Sequence, residues 1–486
     1  MARGRPQTEH LLRRAAFGAT AADVALFDSM SSTAAIDYLV EYERQPDDVD
    51  SWIGQPAYVS ITTRNGGFAP ATNIEDARQR WLFRMVHSRR PLQEKMALFW
   101  HNYFATAYSK VSGTVGAVQG TKMFSLKAGE LAGPAGQLEL FRNYALGNFT
   151  NLLIEVAKNP AMIVWLDGTS NTRQRPQENF GREVMELFTW GVGNYTEQDV
   201  YAAARVFTGW SIRVVGDRND AANGYYEFVF NANQHDAAAK EFTFPVYGSG
   251  ARSIPARPAA EGMQDGVDLL AALARHPRTA QRLAGKLWKF FISDLMPVPP
   301  AFVNEVTHLW AQYDTDLKPV VRYILQSLYF QNPSIRYTRY SWPAEFVARA
   351  IKEAGWTGFS VDTARTPMTA MGQNLFEPPD VAGWDLGEGW FSTGATLSRM
   401  NFASTLAFNQ RFNLGREALA GRASAENLLS MFLDRLSPAP YDNVPYDGLL
   451  TYLRTGATWP PSDTVLTNKA AGLVRLILGS SEYQFM

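Results

Sequence analysis

The chain has 486 residues, with 46 Lys and Arg residues against 47 Asp and Glu residues, and 46% of its residues are hydrophobic. This composition is that of a globular protein, and the balanced charge gives no general attraction to nucleic acid or to anionic lipid. The sequence contains no cysteine, which excludes disulfides, thiolate catalysis and cysteine metal sites.

No stretch approaches the roughly 20 uninterrupted apolar residues of a membrane span, so none is expected. Residues 1–10 are basic but lack the apolar segment of a signal peptide, and the localisation and oligomeric state stay open. The chain has 13 tryptophans. Because tryptophan is a preferred platform for sugar rings and cations, this number favours a binding cleft.

Taken in chain order, the elements are mostly helices. Hydrophobic period and capping residues predict helices near 9–17, 20–30, 32–42, 74–106 (divided at Pro91), 137–159, 178–190, 197–209, 265–275, 279–293, 300–313, 317–327 and 343–354. Thr196 and Asp199 form a candidate capping box. Residues 46–74 are expected to form a long loop, because they contain glycine and proline without a clear period.

The segment 211–260 differs from the rest. Tyr225–Phe230 alternates as a strand does, and residues 241–244 are expected to pair with it as an edge hairpin. The predicted fold class is therefore mainly α: a large multi-helix globular fold with a small β-hairpin excursion around residues 225–245. We expect a helical core over 1–410, and a C-terminal helical extension over 411–486 that packs on it.

One polar stripe stands out within the predicted helix 178–190. It consists of Glu178, Asn179, Arg182, Glu183 and Glu186. In one interpretation it is a solvated face, since Glu178, Arg182 and Glu186 are spaced i, i+4 as in ordinary ion pairs. In the other, Glu183 and Glu186 point together into a cleft, where neighbouring carboxylates take the opposed protonation states that acid/base chemistry requires.

Two histidine segments are further candidates. His101 and Asn102 lie in an aromatic helix, where the histidine is a proton-transfer residue, a metal ligand or a core residue bonded to the backbone. His235 and Asp236 lie in a loop. They point in different directions, so they either join an acidic site across space or form a plain surface turn.

The tryptophans Trp210, Trp384 and Trp390 are candidate platforms for a sugar ring. Trp384 lies in a loop stiffened by two prolines, where it either closes the rim of a pocket or fills the core. The sequence contains no His-x-x-x-His pair, P-loop, dinucleotide fingerprint or nucleophile elbow. We therefore expect no cofactor and assign no metal ligands.

Several blocks together resemble a bacterial family known as domain of unknown function 1800. The blocks, which span about residues 9 to 405, are His10–Gly18, Phe99–Phe104, Glu178–Thr189, Gly193–Val200, Ala204–Trp210, His235–Asp236, Lys286–Trp288 and Pro378–Trp384. The resemblance implies a mostly helical fold, common export of the family's members, and a functional interpretation of the polar residues in these blocks. This chain departs from the family pattern at Tyr103, where a second histidine is usual, and at Ser341-Trp342, where a lysine-serine pair is usual.

The leading hypothesis is an enzyme that hydrolyses or lyses a polar, glycan-like substrate by acid/base chemistry. Catalysis is assigned to Glu183 and Glu186, with Glu178, His101, His235 and Asp236 completing the site. Substrate binding is assigned to Asn179, Arg182, Asn102, Trp210, Trp384 and Trp390. Two alternatives stay open: a divalent-metal-dependent hydrolase or oxidoreductase that uses the same residues, and a non-catalytic binding or scaffold protein.

Overall fold

The computed structural model of the protein describes residues 5–55, 58, 67–248, 252–356, 361–384, 387–436 and 443–486. The described part of the chain is 62% helical and contains two small antiparallel sheets of two strands each. The predicted mainly α class is confirmed. No described helix is both long and apolar enough to cross a membrane.

Twelve α-helices precede the first strand in the described residues. They are α1 (Arg5–Ala15), α2 (Ala21–Asp28), α3 (Ser32–Val40), α4 (Ile74–His87), α5 (Pro91–Tyr103), α6 (Tyr108–Val115), α7 (Ala117–Ser125), α8 (Gln137–Asn143), α9 (Phe149–Lys158), α10 (Pro160–Trp165), α11 (Asn179–Glu186) and α12 (Glu197–Val206).

Four strands and the remaining α-helices follow in the described residues. The strands are β1 (Trp210–Val215), β2 (Tyr225–Phe230), β3 (Lys240–Phe242) and β4 (Arg252–Ile254). The helices are α13 (Met263–Arg275), α14 (Pro277–Phe291), α15 (Pro300–Gln312), α16 (Leu317–Gln326), α17 (Leu328–Gln331), α18 (Pro343–Glu353), α19 (Asp362–Ala370), α20 (Thr393–Asn409), α21 (Arg411–Glu417), α22 (Ala425–Leu436), α23 (Asn443–Arg454) and α24 (Asp463–Leu478).

Local sequence signals fix several helix starts. The Thr196 side chain accepts from the Asp199 backbone N–H, and the Asp199 side chain accepts from Thr196, so the predicted capping box is confirmed. Pro91 occupies the first turn of α5 as predicted. Its missing N–H costs nothing at that position, because the first amides of a helix have no partner within the helix.

Helix α5 runs through the interior and carries functional candidates into it. Leu92 to Tyr103 are all buried, and the Trp100 indole donates to the carbonyl of Ala145 at 3.1 Å. A helix that is buried on every face needs partners on every face. His101, Asn102 and Tyr103 are therefore held by packing rather than exposed on a surface.

The two sheets pair differently from the prediction. The strand at residues 225–230 is present, but it pairs with β1 in the register Trp210↔Phe230 to Val215↔Tyr225. The predicted pairing of 225–230 with 241–244 is wrong, because β3 pairs with β4 instead. The connections on the two sides of β2 are equally long, but they differ in conformation. Residues 217–224 form a turn in which the Gly224 backbone N–H donates to the Asp220 carbonyl at 2.9 Å and which returns the chain antiparallel to β1, whereas a 3-10 turn at Ala232–Gln234 separates β2 from β3.

The long loop predicted over 46–74 contains a 3-10 turn at Val49–Trp52, while residues 56–57 and 59–66 lie outside the described part. Within the C-terminal region, α24 packs on α20 and α21, and α22 contacts α18. The division into a core and an extension at residue 410 stays a prediction.

The last residues of the chain return to the segment before α18. Ser341 donates its backbone N–H to the Gln484 carbonyl at 2.9 Å, and Met486 donates to the Arg339 carbonyl at 2.8 Å. The buried Arg399 guanidinium donates to the Ser341 carbonyl at 2.9 Å. These bonds fix the backbone that immediately precedes Trp342.

Candidate functional site

Several residues of the polar stripe on α11 form ion pairs or hydrogen bonds with neighbouring side chains. Arg182 makes two parallel bonds to the Glu197 carboxylate, at 2.8 and 2.6 Å, and a longer one to Glu178 at 3.4 Å. Asn179 donates to Asp167 at 2.9 Å. Pairs of this kind on an accessible surface contribute little to stability and commonly mark a solvated face.

Glu183 and Glu186 are half-buried on the same helix. Burial, together with the charge of Glu186, raises the pKa of Glu183 above its usual range. The Tyr195 hydroxyl donates to the Glu186 carboxylate. In the described part of the chain, both carboxylates lie outside the cavities of about 550, 460, 400 and 20 Å³.

His101 is enclosed by aromatic side chains. Its Nε2 accepts the backbone N–H of Phe376 at 3.0 Å, and the Trp81, Phe376 and Trp384 rings lie within 5.5 Å of its own ring centroid. Burial lowers the pKa of His101 to about 3, so the ring is neutral at physiological pH. These contacts fit the core interpretation of this histidine.

His235 belongs to a buried charge cluster, while Asp236 pairs elsewhere. The His235 Nδ1 donates to the Thr208 carbonyl at 2.8 Å, and its Nε2 lies 3.3 Å from an Asp265 carboxylate oxygen. Lys240 donates to the same oxygen at 2.5 Å, and the His235, Lys240 and Asp265 side chains are fully buried. Asp236 accepts from the Arg205 guanidinium at 2.6 Å.

The described residues contain no group of three or more His, Asp or Glu side chains that could hold a metal ion. His101, His235 and Asp236 each have their own partners rather than a shared site with Glu183 and Glu186. Their catalytic roles stay predictions.

The three candidate tryptophans lie in different surroundings. Trp210 and Trp390 are each 3% exposed, and the Trp210 ring packs against Phe207 and Phe228. Trp384 instead lines a cavity of about 460 Å³. Its backbone N–H donates to the Asn102 side-chain oxygen at 2.8 Å, so the loop before residue 385 is fastened to α5.

We call this space the α14 cavity. It is formed by α5, α14, the loop at 382–384 and single residues at 298 and 342. The residues that line it are Phe99, Asn102, Tyr103, Arg282, Gly285, Lys286, Lys289, Phe290, Val298, Trp342, Ala382 and Trp384. Aromatic rings thus form much of the wall, and the charged groups all come from one face of α14.

The three cations in the wall are Arg282, Lys286 and Lys289, at spacing i, i+4 and i+7. In the described residues, none of them pairs with a carboxylate within 4.0 Å. Burial, with the charges of Arg282 and Lys289, lowers the pKa of Lys286 to about 8. Like charges that are held together without a counter-charge repel one another. An anion bound in the cavity would reduce this repulsion.

Hydrogen bonds connect the cavity wall to the chain just after α11. The Tyr103 hydroxyl donates to the Phe188 carbonyl at 2.9 Å, and Arg282 donates to the Leu187 carbonyl at 3.3 Å. The Lys286 nitrogen lies 5.1 Å from the centroid of the Tyr103 ring. Tyr103 lies in α5 and Lys286 lies in α14, so regular secondary structure holds both side chains in place, which favours a preformed site.

The sequence did not predict this cavity as a site, although several of its lining residues, Lys286 among them, lie in the blocks and departures described above. Asn102 and Trp384 were assigned to substrate binding, and Tyr103 and Trp342 were departures from the family pattern; all four line the α14 cavity. The neglected signal was the row of cations at helical spacing on α14, whose opposite face is apolar.

The fold and the site define a mainly helical protein with a cationic, aromatic-walled cavity. A family model described as "Protein of unknown function (DUF1800)" matches residues 10–485, and the chain belongs to this family. The match extends well past residue 405, where the recognised blocks end. No curated protein and no solved structure matches the chain.

Proposed function

We propose that the protein binds an anionic, ring-bearing ligand of the acidic-sugar class in the α14 cavity. The observation that carries this proposal is the placement of Arg282, Lys286 and Lys289, without carboxylate partners in the described residues, on the wall of an aromatic cavity. A volume of about 460 Å³ lies within the range of small-molecule sites.

The physical argument has two parts. A carboxylate, sulfate or phosphate group would relieve the repulsion among the three cations, and charge-assisted hydrogen bonds of this kind contribute about 1.5–3 kcal/mol each. The apolar faces of Phe99, Trp342 and Trp384 would shield the ring from water, as aromatic walls do in carbohydrate-like sites.

Calorimetric titration tests the proposal. Galacturonate and glucose 6-phosphate should bind, while galactose and glucose, which lack the charge, should bind at least about tenfold more weakly, a difference of about 1.4 kcal/mol. Lys286→Met removes the central cation and keeps an unbranched side chain that is one atom shorter. It should weaken binding of the charged sugars by about 10- to 100-fold, which corresponds to the loss of one charge-assisted contact.

Arg475→Gln is the matched control, because Arg475 is an exposed cation of α24 that does not line the cavity. It should leave the affinities unchanged. Equal binding of charged and neutral sugars, or an unchanged affinity in Lys286→Met, would contradict the proposal.

A second candidate function is acid/base hydrolysis or lysis of a glycan by Glu183 and Glu186. Its support is the placement of Glu183 and Glu186 one turn apart on α11, where burial and the charge of Glu186 raise the pKa of Glu183, the direction that favours a general acid. Turnover of a glycan panel by Glu183→Gln and Glu186→Gln tests it. Glu197→Gln, which removes an exposed partner of Arg182, serves as control. Unchanged turnover in both carboxylate variants would exclude this candidate.

Of the other two alternatives, metal-dependent chemistry has less support and non-catalytic binding has more. Metal-dependent chemistry at these residues would need a cluster of ligands, and the described residues contain no such group. The non-catalytic alternative agrees with the ion-paired state of Arg182 and with a cavity that binds a ligand. We therefore propose ligand binding first, with catalysis as a separate property to be tested.

A further inference from the structure

The cations of α14 continue beyond the cavity. Arg278 lies four residues before Arg282, so Arg278, Arg282, Lys286 and Lys289 follow one another at spacings of four, four and three residues. At about 100° per residue, these positions fall within one stripe of the helix. The stripe runs over residues 278–289, eleven steps along the helix, or about 16 Å along its axis at 1.5 Å per residue.

Exposure changes along this stripe in a regular way. Arg278 and Lys289 are exposed, whereas Arg282 and Lys286 between them are half-buried. In the described part of the chain, no carboxylate pairs with any of the four. A closed pocket for a single small anion would not need charges that reach into solvent at both ends. An open groove with a buried central part would use exposed charges at both of its ends.

We infer that the α14 cavity is the central subsite of a groove that binds an elongated acidic glycan, with successive acidic sugars along the row Arg278, Arg282, Lys286 and Lys289. This inference rests on the proposed function, and it adds that the ligand is a chain of several acidic units. The central unit would lie between Lys286 and the aromatic wall, while the flanking units would meet the exposed cations.

The aromatic residues favour a glycan over a single-stranded nucleic acid. Proteins that bind single strands stack bases on the faces of accessible aromatic side chains. Trp342 is 2% exposed and Trp384 is 6% exposed, so each offers a shallow apolar wall rather than a projecting platform.

The test uses the full chain and oligogalacturonates of one to six units, with affinities measured by calorimetry at two salt concentrations. The affinity should rise at least about tenfold from one unit to four units and then level off once the row is filled. The slope of log affinity against log salt should steepen over the same range, because each added contact releases counterions.

Substitutions separate the subsites. Arg278→Gln should weaken binding of the four-unit chain by about five- to tenfold and leave binding of the monomer unchanged, since Arg278 does not line the cavity. Lys286→Met should weaken binding at every length. Arg475→Gln, a remote exposed cation on α24, should change neither affinity.

The outcomes distinguish this inference from the function on which it rests. Monomer binding with no gain from length, or an unchanged affinity of Arg278→Gln for the four-unit chain, would overturn the groove and leave the proposed function intact. Absence of binding at every length would overturn both. Binding of oligothymidylate as tight as that of the four-unit chain would overturn the glycan assignment in favour of a nucleic acid.

Discussion

The ammonium nitrogen of Lys286 lies 5.1 Å from the centroid of the Tyr103 ring, and the Tyr103 hydroxyl donates to the Phe188 carbonyl at 2.9 Å. A cation of the α14 cavity is thereby placed over a ring that fastens α5 to the chain directly after α11. The two candidate sites, the cationic cavity and the carboxylate helix, are thus joined through the backbone at residues 187–188. A substitution that displaces the backbone at one of these sites is therefore expected to change the side-chain positions at the other.

The lowered pKa of Lys286 makes the stability of the protein depend on pH. Its pKa is about 8 in the folded protein and near 10.5 when the chain is unfolded, so between these values the unfolded state binds more protons. Stability therefore rises with pH across this window, because the cost of the buried charge is lost as the folded lysine deprotonates. The contribution is up to about 3 kcal/mol, at 1.36 kcal/mol per pKa unit.

Urea denaturation at pH 7 and pH 10 measures this effect. Lys286→Met should be more stable than the wild type at pH 7, and the difference should shrink at pH 10. Arg475→Gln should follow the wild type at both values. A constant difference between Lys286→Met and the wild type would show that the lysine does not titrate in this window.

Asp265 is the only carboxylate bonded to both His235 and Lys240 in the described residues, and it also accepts from Arg257 at 3.0 Å. Asp265→Asn should destabilise the protein by about 3–5 kcal/mol, because it leaves the buried Lys240 without a counter-charge. The double variant with Lys240→Met should recover part of the loss.

Denaturant midpoints of the two single variants and the double variant give the coupling free energy. Hydrogen bonds and the Lys240 charge hold the pKa of Asp265 below its ordinary 3.8, so its contribution is present above that value and is lost as the pH falls through the folded pKa. Additive single effects would show that the residues do not form one cluster.

His101 is expected to act as a structural acceptor. His101→Phe keeps an aromatic ring but leaves the Phe376 N–H unpaired, which should cost about 1–3 kcal/mol. Since the pKa of His101 is about 3, its ring should not titrate between pH 5 and pH 8. The NMR chemical shifts of the imidazole across that range check this. A midpoint near 6.5 would instead support a role in proton transfer.

Gly383 holds the loop that carries Trp384 against α5. Its φ is +91°, and an added Cβ would lie 2.4 Å from the Asn102 side-chain oxygen. Gly383→Ala should therefore displace Trp384 and cost about 1–2 kcal/mol from the left-handed backbone alone, with a loss of ligand binding in the cavity.

Gly394→Ala is the matched control, since Gly394 has no atom within 4 Å of the added Cβ and lies in α20. It should stabilise the helix by up to about 1 kcal/mol and leave binding unchanged. Thermal unfolding and calorimetry measure both effects. Retention of full affinity by Gly383→Ala would show that the loop does not shape the cavity.

Periodicity predicted the helices because a buried face repeats along the chain, as it does in α11 at Phe180 and Val184. It could not predict partners. Periodicity places His101 on a buried helix, but its acceptor role depends on the Phe376 N–H, 275 positions away. The α14 cavity escaped prediction for the same reason, since its wall combines α5 and α14 with single residues as distant as Val298 and Trp342.

The pairing of Ser341 with Gln484 and of Arg339 with Met486 has a consequence for fragments of this protein. These backbone bonds hold the residues directly before Trp342. Trp342 lines the α14 cavity together with residues as early in the chain as Phe99. A shortened chain that lacks residues 481–486 would leave both backbone groups without partners and free the tryptophan to shift. The proposed ligand binding would thus depend on residues from Phe99 to the last six of the sequence, and a chain shortened at residue 480 is expected to bind the charged sugars more weakly.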